Sequence, residues 1–183
     1  MSQLSFYDPE ILSLLISVPY RIGIWVSHAE DEDGETDDEL EITALENCIR
    51  EVAKAHDQSG LVNEVGARIL SERTQWEDWA GNAFLVLKDC DLVVRALKAH
   101  APADEFKDYK AFLMEIATSV AQAYGEFGLF EEEKKEGGMA GLMKKIVGGF
   151  SGLSKANANH PMNVSPAEES VIAELKALLD SIE

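Results

Sequence analysis

Apolar residues recur at steps of three and four along most of this chain, the spacing that lines one side of an α-helix. Ile11, Leu12, Leu15, Ile16, Ile22, Trp25 and Val26 form the first stripe. Asp8-Pro9 ahead of it supplies an N-cap and a first helical residue, so a helix is predicted to about His28, with Pro19 kinking or splitting it. Its apolar coverage is broad enough to place it centrally in a core. Leu45, Cys48, Ile49 and Val52 predict a second helix ending near His56, opened by the capping-box pattern Thr36-x-x-Glu39. After a turn at Asp57 to Gly60, a third helix carries Leu61, Val62, Val65, Ile69 and Leu70. Trp76 and Trp79 stand in the polar stretch QWEDWAGN, read as a loop packed on the core. A fourth helix is predicted over Ala83 to His100. Pro102 opens a fifth, whose Phe106, Tyr109, Phe112, Leu113, Ile116, Val120 and Ala123 keep the period to about Tyr124. Ser165-x-x-Glu168, a second capping box, starts a last helix lined by Val171, Ile172, Leu175, Leu178, Leu179 and Ile182. No period-two alternation competes. The expected fold is all-α, a single-domain bundle of about seven helices over residues 1–183.

Two halves of that plan repeat each other: a long apolar helix, a Gly-Glu turn, then a Ser/Thr-capped acidic helix start. Gly34-Glu35 corresponds to Gly125-Glu126, and Thr36-x-x-Glu39 to Ser165-x-x-Glu168. Agreement of turn, cap and stripe in order points to an internal duplication. The first half covers about 8–73 and the second about 83–183, with an insertion at about 127–164.

Charge changes the picture at one place above all. The chain has a formal net charge of −18, and His28 to Glu41, HAEDEDGETDDELE, carries nine carboxylates and no Lys or Arg. Close carboxylates repel by about 1 kcal/mol per pair even in bulk water. Such a stretch either splays into solvent, where acids at a helix start gain from the helix dipole, or gathers around a cation or a basic partner. Asp31, Asp33, Glu35, Asp37 and Glu39 alternate around Gly34 in a way that suits a hard divalent cation such as Ca²⁺. An EF-hand does not fit: with Gly34 at loop position 6, Ala29 and Leu40 fall at positions 1 and 12, where acids are required. An irregular site would draw on Asp33, Glu35 and Glu39, joined by Glu126 and Glu168 or Glu169 if the halves face each other. Glu39 cannot give both oxygens to a metal while it caps its own helix. Soft metals are disfavoured, because Cys48 and Cys90 have no companion ligands nearby in sequence.

At these residues the chain resembles the TerB-like family, the tellurite-resistance type of helical domain. The resemblance rests on Asp33-Gly34-Glu35 with Glu39 in the first half. In the second half it rests on Ala123-Tyr124-Gly125-Glu126 with Ser165 to Glu169, where Tyr124 stands in place of an aspartate. It spans most of the chain. It implies an all-helical bundle associated with stress responses and proposed to bind metal through its acidic turns.

The remaining chemistry is sparse. An acidic chain is a poor partner for nucleic acid, which needs clustered Lys and Arg. Two separated cysteines read as free thiols of a reducing compartment. The run Ile11 to Val18 follows Asp8 and Glu10, is interrupted by Pro19-Tyr20-Arg21, and is shorter than a bilayer is thick, so a cytoplasmic location is expected. Residues 137–155, GGMAGLMKKIVGGFSGLSK, place Met139, Leu142, Met143, Ile146, Val147, Phe150 and Leu153 on one face, with Lys144 and Lys145 off it. That segment either covers the protein's own core or docks on a partner protein or a membrane surface.

One enzyme pattern is absent and another comes near. No His has a Glu three residues before it, as di-iron bundles need. An HD-type phosphohydrolase would use His28, His56-Asp57 and Asp91 or Asp108, but Ala-Lys-Ala precedes the His-Asp pair where an apolar run is needed. No P-loop, G-x-S-x-G or dinucleotide fingerprint occurs. The sequence thus favours a non-enzymatic domain.

Overall fold

The protein is described from a computed structural model, which covers residues 3–30, 38–127 and 164–183. Among them are seven α-helices and no strand: α1 (Pro9–Ser27), α2 (Asp38–Ala55), α3 (Gly60–Ser71), α4 (Trp76–Gly81), α5 (Val86–His100), α6 (Ala103–Phe127) and α7 (Pro166–Asp180). The fold is an all-α, single-domain bundle.

Helix α1 is the axis. Asp8 caps it, its Oδ1 accepting from the N–H groups of Glu10 at 3.1 Å and Ile11 at 3.0 Å, and Pro9 needs no partner there. Every residue from Leu15 to Ile24 is buried, because α5 and α6 pack on the helix most extensively and α3 and α4 close it in. Pro19 does not split it. The helix runs unbroken through the proline, whose surroundings bury it completely enough to hold the turn. By length and composition α1 could cross a membrane, with mean hydropathy 1.3, yet 61% of that window is buried inside the protein.

Three expectations are corrected. QWEDWAGN is not a loop: Trp76–Gly81 form a short helix, held because Trp76 stacks on Tyr20 at 4.9 Å and its Nε1 donates to the Ile69 carbonyl at 3.0 Å. The fourth predicted helix begins at Val86, and Ala83–Leu85 form a 3₁₀ turn ahead of it. The turn expected at Gly125-Glu126 is absent, because α6 continues through both residues to Phe127. One helical Gly costs only about 1 kcal/mol against Ala, too little to end a helix that packs along its length on α1 and α2.

Close contacts fix the directions of the helices. Tyr109 donates its hydroxyl to the Leu15 carbonyl at 2.9 Å, setting the start of α6 beside the start of α1. His56 meets Glu115 and Ser59 meets Glu105, so the chain leaving α2 moves toward the start of α6. Gly23 on α1 lies against Leu45 on α2. Lys110 donates to the Ile182 carbonyl at 2.8 Å, pinning the end of α7 near the start of α6. The other half of α7 reaches the 3₁₀ turn His28–Glu30 that ends α1. The close of α1 and the start of α7 therefore share one end of the bundle.

Candidate functional site

The acid-rich stretch that begins at His28 follows α1 in sequence and leads into α2. Glu39 belongs to the first turn of α2, Glu126 to the last turn of α6, and Glu168 and Glu169 to the first turn of α7. Asp31, Asp33, Glu35 and Asp37 lie outside the described residues, as do Thr36 and the segment 137–155. Among the described residues, no three His, Cys, Asp or Glu side chains are grouped to hold a metal ion.

The two described carboxylates of the candidate set have different surroundings. Glu168 is 1% exposed, and its Oε2 accepts from the Ser165 backbone N–H at 3.0 Å. The Ser165 hydroxyl accepts in return from the Glu168 N–H at 3.2 Å, which completes the capping box read from the sequence. Glu168 is therefore committed to starting its own helix. Glu169, one residue on, is exposed.

The HD arrangement is not assembled. His28 ends α1, whereas His56 and Asp57 follow the end of α2, at the opposite end of an 18-residue helix. His56 instead meets Glu115 of α6, with Nε2 and Oε2 3.0 Å apart and its ring edge toward Phe112. The hydrogen bond to Glu115 raises its pKa above the ordinary histidine value against the lowering effect of burial, and Asp108 adds to the rise.

Two buried polar assemblies were not legible in the sequence. Glu105 of α6 caps α3 from another helix. Its carboxylate accepts from the Ser59 hydroxyl at 2.5 Å and the Gly60 and Leu61 N–H groups, each at 3.0 Å. Arg21, 3% exposed in the middle of α1, donates from Nη2 to Asp89 and to the Asn82 carbonyl, both at 2.7 Å. A lone Arg inside an apolar stripe was the one available signal, since a buried guanidinium requires a carboxylate. Nothing in the sequence named Asp89. An open cleft of about 390 Å³ between the N-terminal turn and α3, lined by Leu4, Ser5, Leu12, Glu64, Ala67 and Arg68, gathers no catalytic grouping.

No family model matches the chain, and no curated protein and no solved structure matches it either.

Proposed function

We propose that this chain is a non-enzymatic, TerB-like helical domain that binds a divalent cation of the Ca²⁺ type through acidic turns at one end of its bundle. The setting this reading implies is a cytoplasmic, tellurite-type stress response. The observation that carries it is the packing of α7, whose first turn holds Glu168 and Glu169, on the 3₁₀ turn His28–Glu30 where the acidic stretch begins. The stretch 28–41 bears nine carboxylates, and Glu126 and Glu169 are the further acids on which the reading draws. Hard cations take six to eight oxygens from flexible acidic loops, and mutual repulsion among the carboxylates is what the ion relieves.

Calorimetric titration of the full chain with Ca²⁺, Mg²⁺ and Mn²⁺ tests it. Saturable binding of one of them is expected, weakened at least tenfold in Asp33→Asn/Glu35→Gln while the circular dichroism of the helices is unchanged. Absence of saturable binding up to millimolar ion, or equal binding by the variant, overturns it. In that event 137–155 becomes the remaining sequence-based candidate, as a docking segment for a partner protein or membrane, and flotation of the full chain with anionic vesicles reads that out.

A further inference from the structure

The corner where α2 turns into α3 is tied to α6 by two carboxylates of different character. Glu105 holds the start of α3 through one hydroxyl and two backbone N–H groups, none of which titrates near neutrality. Glu115 holds the end of α2 through His56, the side chain whose charge changes between about pH 5 and 8. Both partners of that second tie are largely shielded, His56 with 13% and Glu115 with 23% of its side chain exposed. The charges acting on the ring are all negative: Glu115 first, then Asp108, both from α6. Asp57 follows it in the corner. From α3 only the neutral Asn63 amide faces this turn, donating to the carbonyls of His56, Asp57 and Ser59.

We propose that the α2–α3 corner is a proton-operated latch, in which protonated His56 clamps the end of α2 onto Glu115 while Glu105 holds α3 in either state. The neutral ring retains at most a hydrogen bond to the carboxylate, and the ionic attraction is lost. The sign follows from the raised histidine pKa. Stabilisation is fully present below the unfolded value of about 6.5 and is lost as pH rises through the higher folded value. Release is local. The N–H of His56, bonded to the Ala53 carbonyl, and that of Ser59, bonded to the His56 carbonyl, lose protection, whereas Gly60 and Leu61 stay on Glu105.

Amide hydrogen exchange of the full chain at pH 5.5 and 8.5, corrected for intrinsic rates, tests this. Opening at His56 and Ser59 should rise at the higher pH, by a factor set by how far the folded value stands above the unfolded one. Opening at Gly60 and Leu61 should hold steady, and His56→Gln should abolish the difference. A rise of the same size in His56→Gln, or one shared equally by Gly60 and Leu61, overturns the latch. An independent reading needs no variant: the His56 ring titration by NMR should have a higher midpoint in the folded chain than in urea, and an equal or lower midpoint is equally fatal.

Discussion

Removing Asp89 should cost more than removing the arginine it pairs with. Arg21 is shut inside the bundle with two acceptors, Asp89 and the Asn82 carbonyl, and its Nε has no hydrogen-bond partner among the described residues. Asp89→Ala therefore strands a guanidinium that keeps one neutral acceptor and has no route to water. Breaking a buried pair in this way costs about 3–5 kcal/mol. Arg21→Met instead removes the charge and refills much of the stem's volume. The Asp89 carboxylate left behind is 17% exposed, sits in the favourable first turn of α5, and can hydrate. Its loss is about 1–3 kcal/mol, the penalty of imperfectly satisfied polar groups. Arg21→Met/Asp89→Leu removes both charges and should lie within about 1 kcal/mol of the parent. Urea unfolding followed by tryptophan fluorescence orders the three variants, because Trp76 and Trp79 both pack on Tyr20 next to Arg21. At 2–4 °C per kcal/mol for a chain of this size, Asp89→Ala should lower Tm by about 6–20 °C. An Asp89→Ala variant no less stable than Arg21→Met would refute the argument that shielding of the stranded charge sets the cost.

Two further outcomes follow from the packing. A Cβ at Gly23 would run into the buried Leu45 side chain of α2, so Gly23→Ala should destabilise by about 1–3 kcal/mol in urea melts. A neutral or stabilising effect would mean that α2 can step away. Burial pushes the Cys48 and Cys90 thiols up to about 12, with Asp91 adding to Cys90, so neither is thiolate at pH 8. Ellman's reagent should label no thiol in the native chain and two in urea, and prompt native labelling would place a thiol at the surface.

How much of this was legible depends on whether a residue's partner is near it in sequence. The stripe Leu45, Cys48, Ile49 and Val52 could be read because burying one face of a helix imprints its period, and all four are buried. The Ser165 capping box could be read because donor and acceptor are three residues apart. Trp76–Gly81 has no stripe of its own. It is helical because Trp76 is held by Tyr20 and Ile69, contacts that local pattern does not carry. The cap on α3 was hidden for the same reason, since Glu105 stands 44 to 46 residues from the groups it binds. For the candidate site, composition marks where the acids are crowded. Only the run of the helices brings α7 against the 3₁₀ turn that closes α1.

The buried polar groups also sort the acids by role. Glu105 spends both its oxygens on the start of a helix, Glu168 its Oε2, and Asp89 its Oδ2 on Arg21. Each is a carboxylate whose charge is already answered inside the fold, by N–H donors at a positive helix end or by a guanidinium. An oxygen so engaged has little left to offer an ion. Glu168 is therefore structural even though it lies at the acidic end, and a cation there would have to be held by acids with no such duty. Glu169, exposed beside it, is such an acid, and the proposal draws the others from the sequence of 28–41. The distinction rests on a single competition: a carboxylate that satisfies orphan helix N–H groups gives up the lone pairs a hard cation needs. The same competition explains why crowding of acids in a sequence is not by itself a site, since the count of carboxylates includes those the helices have already claimed.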